Sequence, residues 1–71
     1  MARDLPVANK VRELREHLQL TQAELGDAVG VTRQTVAAIE QRRYSPSLET
    51  AFRIAQVFEV GIEKVFWWDE N

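Results

Sequence analysis

The segment Gly30-Val31-Thr32 leaves a single residue between the end of one predicted helix and the start of the next. Gly30 suits the left-handed conformation that ends helices, and Thr32 is a favoured N-cap. Two helices joined by so short a turn cannot lie antiparallel, so they must cross steeply. Gly26 fits this arrangement, because a small residue within the earlier helix allows close approach. This turn constrains the fold more than any other feature of the chain.

Helix boundaries recur along the rest of the sequence. LTQAEL contains Thr21 as an N-cap and Glu24 three residues later, the pattern of a capping box. Asn9, Ser47 and Gly61 are candidate starts of three further helices. The sequence therefore predicts an all-α, compact five-helix fold for one domain spanning residues 1–71, with helices at about 10–18, 22–29, 33–41, 48–58 and 62–67.

Apolar residues at helical spacing define the expected core of the first and fourth helices. The expected core residues are Val11, Leu14, Leu18, Leu48, Ala51, Phe52, Ala55 and Phe58.

Composition excludes several classes of function. The chain has no cysteine and one histidine, His17, so thiolate zinc sites, histidine metal clusters and nucleophilic triads are not available. We predict that the protein is not an enzyme and has no cofactor and no metal site. No apolar stretch is long enough to cross a bilayer and no signal peptide is visible, which predicts a cytoplasmic protein without a membrane partner.

The third predicted helix carries a positive surface in a chain whose net charge is −2. Residues 31–48 contain three arginines against one glutamate, although the flanking segments are acidic. With Val36 and Ile39 facing inward, Arg33, Gln34 and Ala38 face outward. Arginine can bond guanine, glutamine can bond adenine, and alanine can contact the thymine methyl group. These three residues are therefore predicted to contact DNA bases.

The segment QAELGDAVGVTRQTVAAIE resembles the helix-turn-helix of the Cro, lambda-repressor and Xre family of transcriptional regulators, and the likeness extends over residues 9–66. The resemblance implies a lambda-repressor-like fold whose third helix enters the DNA major groove. It also implies that Gln22 lies against the DNA backbone, where a helix N-terminus favours an anion. Residues with groups suited to phosphate contacts on the same side are Thr35, Arg42, Arg43 and Ser47.

Two further expectations follow from this resemblance. An arginine and a glutamate pair in some relatives, which implies a structural pair between Arg15 and Glu40. Gln19 and Glu59 stand where relatives often place glycine at a helix end, so each is expected to adopt a positive φ.

The chain closes with VFWWDEN, and a helix cannot bury three adjacent aromatic side chains on one stripe. We expect two structures to cover these aromatic side chains together. One is a short strand from the N-terminal MARDLPVA paired with residues 65–69, and the other is a second subunit that contacts Phe66, Trp67 and Trp68. The function predicted is that of a dimeric repressor, which binds a double-stranded DNA operator with inverted half-sites. The alternative is an antitoxin-like or adaptor module that binds a protein through the aromatic C-terminus.

Overall fold

The structure, a computed structural model, describes residues 4–69. Along the chain, one short strand precedes and another follows four helices and one 3₁₀ turn within this range. In chain order the elements are β1 Val7–Asn9, α1 Val11–His17, α2 Gln22–Val29, α3 Arg33–Glu40, α4 Leu48–Phe58, the 3₁₀ turn Ile62–Lys64 and β2 Phe66–Trp68. Residues 1–3 of the predicted N-terminal strand segment and residues 70–71 of the predicted domain lie outside the described residues.

Side-chain caps begin α2, α3 and α4 at the predicted positions. The Thr21 hydroxyl accepts from the Glu24 N–H, and the Glu24 side chain accepts in return from the Thr21 N–H, so the capping box is confirmed. At α3 and α4 the cap is a single bond of this kind, in which the Thr32 hydroxyl accepts from the Thr35 N–H and the Ser47 hydroxyl accepts from the Thr50 N–H. Each cap satisfies a helix N–H that would otherwise lack a partner.

The turn between α2 and α3 is as tight as predicted. Gly30 has φ 84°, and the Gly26 carbonyl accepts from both the Gly30 and the Val31 N–H at 2.8 and 2.9 Å. A Cβ atom on Gly26 would lie 2.6 Å from the Val31 carbonyl oxygen. Position 26 therefore admits only glycine without a backbone shift, and α3 can cross close to α2.

The fifth helix predicted at 62–67 is wrong, and with it the five-helix architecture. Ile62–Lys64 forms one 3₁₀ turn, and Phe66–Trp68 forms β2, which pairs antiparallel with β1. Val65, Phe66 and the two tryptophans are β-branched or aromatic residues, which favour strands. In β2, Phe66 and the two tryptophans pair with Val7–Asn9, and just before β2 the Val65 carbonyl accepts from the Lys10 N–H at 2.9 Å. The predicted pairing of the two ends of the chain is confirmed.

The core forms where the four helices meet, and two predicted stripes include exposed residues. Leu18 is exposed because α1 ends at His17. Leu48 and Phe52 are 70% and 53% exposed, whereas Ile54, which was not predicted, is fully buried. The buried positions of α4 follow the spacing 51, 54, 55 and 58, so Phe52 lies to one side of the stripe. The core residues are Val11, Leu25, Val29, Val36, Ile39, Ile54, Ala55, Phe58 and Val65.

Three helix ends place a non-glycine residue in the left-handed region. Gln19 and Glu59 have φ of 59° and 58°, as expected, and Arg42 after α3 has φ 59°. A side chain with a Cβ costs roughly 1 kcal/mol in this conformation, a cost that glycine avoids.

We predict that Gln19→Gly and Glu59→Gly each raise the free energy of unfolding by about 0.5 to 1 kcal/mol. Urea denaturation measures this change. Gln56→Gly, at an exposed position inside α4, is the matched control and should lower the same quantity by about 1 kcal/mol. A loss of stability in all three variants would contradict the expectation.

Candidate nucleic-acid interface

One face of α3 is buried and the other is exposed. Val36 and Ile39 are each 1% exposed and pack in the core, whereas Arg33, Gln34 and Gln41 are exposed. Within residues 4–69, the side chains of Arg33 and Gln34 have no hydrogen-bond partner, and Arg33 forms no ion pair. Both side chains extend from the first turn of α3 and are available to bind another molecule.

The N-terminus of α3 is held by threonines. The Thr32 hydroxyl accepts from the Thr35 N–H at 3.1 Å, and the two hydroxyl oxygens lie 3.0 Å apart. Thr35 is half-buried, as are Ala37 and Ala38 on the next turn. The two alanines add little bulk, so the exposed long side chains dominate this surface.

Three of the residues predicted to contact phosphate lie near helix ends. Ser47 is exposed and caps α4, where its Oγ accepts from the Thr50 N–H at 3.1 Å. Arg43 is exposed after α3, and its Nε donates to Gln41 Oε1 at 2.9 Å. Gln22 begins α2 and is half-buried. Helix N-termini carry N–H groups and a partial positive charge that suit an anion.

The structure gives Arg42 partners inside the protein. Its Nε and Nη2 donate to the Leu5 carbonyl oxygen, and its Nη1 lies 3.0 Å from Asp69 Oδ2. The side chain is 22% exposed. Sequence reasoning missed these contacts because both partners are remote in the chain and no spacing rule connects them.

Glu40, the last residue of α3, is the centre of a buried polar network. Its two carboxylate oxygens accept from Arg15 Nε at 2.7 Å and Nη2 at 3.2 Å, and Oε1 also accepts from Gln22 Nε2 at 3.1 Å. Arg15 Nη1 donates to the Leu20 carbonyl at 2.8 Å. The side chains of Arg15 and Glu40 are only 10% and 4% exposed. This network joins α1, α3 and the start of α2.

The protonation of Arg15 follows from this pairing. Hydrogen bonding to Glu40 raises the pKa of Arg15 above its ordinary value, although burial acts in the opposite direction. A raised pKa means that the stabilisation from charged Arg15 is present at every pH below the ordinary value and is lost only in strongly alkaline solution. The guanidinium is therefore charged throughout the physiological range.

Asn9 has a second role that the sequence did not indicate. Its Oδ1 accepts from the Val11 N–H at 3.0 Å, which fits the predicted role at the start of α1, although Lys10 occupies the N-cap position itself. Its Nδ2 donates to the Ile39 carbonyl at 3.0 Å. The side chain thus joins β1 to the last turn of α3.

The C-terminal aromatics differ in exposure. Phe66 is half-buried and packs against the core, whereas Trp67 and Trp68 are 42% and 65% exposed. Because consecutive residues of a strand point to opposite faces of the sheet, the two exposed tryptophans lie on opposite faces of the β1–β2 sheet.

Two other kinds of site are absent from residues 4–69. No three of their His, Cys, Asp and Glu side chains group in a way that could hold a metal ion. None of the helices within this range has the length and apolar character needed to cross a membrane.

Comparison with known proteins gives matches over most of the chain. Residues 11–65 match the family described as Helix-turn-helix. The chain is 53% identical over 63 residues to YgzD, an uncharacterised HTH-type transcriptional regulator of Bacillus subtilis strain 168, and the alignment covers 89% of this chain and 96% of that protein.

Two further matches are more distant. The chain is 34% identical over 58 residues to the cryptic phage CTXphi transcriptional repressor RstR of Vibrio cholerae, with 82% of this chain and 52% of that protein aligned. The crystal structure of the restriction-modification controller protein C.AhdI from Aeromonas hydrophila superposes with a TM-score of 0.72 at 25% identity. This superposition covers 78% of this chain and 83% of that chain.

The buried pair predicts a large effect of Glu40→Gln. The variant removes the buried counter-ion of Arg15 and leaves only the exposed carboxylate of Glu16, 4.0 Å away, so we expect the free energy of unfolding to fall by about 3 kcal/mol, measured by urea denaturation. Glu16→Gln, which removes an exposed carboxylate on α1, is the matched control and should cost about 0.5 kcal/mol or less. Equal stability of the two variants would show that the buried pair contributes nothing.

Proposed function

Because the chain belongs to the Xre/Cro-type helix-turn-helix family of DNA-binding transcriptional regulators, we propose that it acts as a dimeric repressor. It binds a double-stranded operator with inverted half-sites and reads the bases through α3. The observation that carries this proposal is the exposure of Arg33 and Gln34 on the first turn of α3, while Val36 and Ile39 anchor the opposite face.

The base contacts follow from the chemistry of these side chains. The guanidinium of Arg33 can donate two hydrogen bonds to O6 and N7 of guanine, and the amide of Gln34 can bond N6 and N7 of adenine. Ala38, one turn further along α3, offers a methyl group to thymine. We assign discrimination mainly to Arg33 and Gln34, because a methyl contact separates bases only weakly.

Phosphate contacts orient α3 in the groove without reading sequence. We assign them to Gln22, Thr35, Arg43 and Ser47. Gln22 suits this role in one respect: its amide nitrogen has two N–H groups, of which one donates to Glu40, so the other is left for a phosphate. The net charge of −2 is compatible with DNA binding, because charges farther away than about 8 Å are screened at physiological salt.

Two subunits are needed to specify an operator. A single α3 reads too few base pairs for a unique site, whereas a dimer places two such helices about 34 Å apart on inverted half-sites. We assign the dimer contact to Phe66, Trp67 and Trp68, since the two tryptophans are the most exposed aromatics at this end of the chain. The Vibrio cholerae relative is a transcriptional repressor, which favours a repressor here.

The same tryptophans favour a second candidate function, an adaptor that binds another protein through its C-terminus. The two functions differ in their response to DNA. A regulator binds random duplex DNA weakly and in a salt-dependent manner, whereas a pure adaptor does not bind it at all. Either function suits a protein of the cytoplasm, where we place it.

Selection of bound duplexes from a random pool tests the role of α3. We expect the wild-type protein to recover an inverted repeat. Arg33→Ala and Gln34→Ala should each relax preference at one position of the half-site, with a loss of about 1 to 3 kcal/mol of discrimination. Arg12→Ala, which removes an exposed arginine from α1, is the control and should recover the wild-type site. An unchanged site in the Arg33→Ala, Gln34→Ala double variant would refute base reading by α3.

Sedimentation in the absence of DNA tests the dimer. We expect the wild-type protein to sediment as a dimer at micromolar concentration. Trp68→Lys should sediment as a monomer and bind one half-site with unchanged sequence preference, because a charge in the interface would be left without a partner. A wild-type protein that is monomeric at high micromolar concentration would remove the dimer from the proposal.

A further inference from the structure

We propose that Arg42 is a positioning residue for DNA binding, which fastens the end of α3 to the two ends of the described chain and so fixes the angle at which α3 presents Arg33 and Gln34. This inference rests on the function proposed above. It differs from the sequence expectation, in which Arg42 contacts phosphate. The assignment comes from the hydrogen bonds of Arg42 to Leu5, just before β1, and to Asp69, just after β2, at one end of the antiparallel sheet.

The backbone and the side chain of Arg42 both form hydrogen bonds with Leu5. The Arg42 carbonyl accepts from the Leu5 N–H at 3.1 Å, and the Leu5 carbonyl accepts from Arg42 Nε at 3.1 Å and also from Nη2. Arg42, which follows α3, therefore satisfies both the backbone N–H and the backbone carbonyl of Leu5, which precedes β1. The positive φ of Arg42 turns the chain so that this exchange can form.

The third guanidinium nitrogen holds the segment after β2. Arg42 Nη1 lies 3.0 Å from Asp69 Oδ2, and the Asp69 N–H donates to the Pro6 carbonyl at 2.8 Å. Asp69 is thus bonded to the chain just before β1 as well as to Arg42. Asn9 adds a second link, because its Nδ2 donates to the Ile39 carbonyl within α3.

This arrangement needs a guanidinium in particular. Its planar fork presents donors in several fixed directions, whereas a lysine ammonium is a compact point charge. A lysine at position 42 keeps the charge that a phosphate would attract, but it cannot bond the Leu5 carbonyl through two nitrogens and Asp69 through a third. Arg42→Lys therefore separates a positioning role from a phosphate contact.

The two roles predict opposite results in operator binding. If Arg42 positions α3, then Arg42→Lys and Asp69→Asn each lower the ratio of operator affinity to random-duplex affinity by about tenfold. The salt dependence of random-duplex binding stays unchanged in Arg42→Lys. If Arg42 contacts phosphate, Arg42→Lys binds as the wild type does, and Asp69→Asn binds DNA more tightly because it removes a negative charge.

The experiment is fluorescence anisotropy with the selected operator and with a random duplex, at several salt concentrations and at a temperature where every variant is folded. Arg12→Lys is the matched control, since Arg12 is an exposed arginine of α1 with no assigned DNA contact, and its Nε donates to Glu16 Oε2 at 3.2 Å. It should keep the wild-type ratio. Variants that melt earlier but keep the ratio, or an Arg42→Lys protein that binds like the wild type, would overturn the proposal.

Hydrogen exchange in the protein without DNA tests whether the Arg42 bonds hold the end of α3. The amide groups of Gln41 and Arg43 donate to carbonyls of the last turn of α3, so their hydrogen exchange reports how firmly that turn is held. We expect faster exchange in Arg42→Lys and Asp69→Asn than in Arg12→Lys. Unchanged exchange would refute the positioning role of Arg42 even if α3 binds DNA. A wild-type protein that does not bind DNA would refute the proposed function, whereas exchange would still report whether Arg42 holds the end of α3.

Discussion

The carboxylate of Glu40 is removed from water almost completely, and the orientation of α3 depends on how that charge is compensated. An isolated buried carboxylate costs several kcal/mol, so the fold must bring a cation to it. Arg15 supplies two parallel hydrogen bonds from α1, and Gln22 supplies a third from the start of α2. Because Glu40 is the last residue of α3, these bonds determine where that helix ends relative to its two neighbours. The tight turn at Gly30 determines where it begins.

Helix α3 is therefore fixed on three sides and exposed on the fourth. Val36 and Ile39 hold its apolar face, the Glu40 network holds its end against α1 and α2, and Asn9 connects it to β1. A helix of eight residues has little stability of its own in water, so this support comes from tertiary contacts rather than from helix propensity. The exposed face, which includes Arg33 and Gln34, carries none of this support.

Much of this arrangement could be predicted because it depends on local signals. Caps at Thr21, Thr32 and Ser47 act over three residues, so the sequence indicated the starts of α2, α3 and α4 correctly. The end of the chain was predicted as a helix because Gly61 and the apolar residues after it suit a helix locally. Pairing with β1 outweighed that preference, and pairing partners far apart in sequence leave no local signal. The partners of Arg42 were not predicted for the same reason, since Leu5 and Asp69 are both remote from it in the sequence.

The β1–β2 sheet joins opposite ends of the described chain, which has a consequence for the order of folding. Closing a loop of that length costs more entropy than forming any of the neighbouring helix contacts, so the sheet is expected to form after α2 and α3 have packed. By the same reasoning it should open before the helical core does. A folding intermediate of this protein would have its core in place while the last turn of α3 still lacked its ties to Leu5, Asn9 and Asp69.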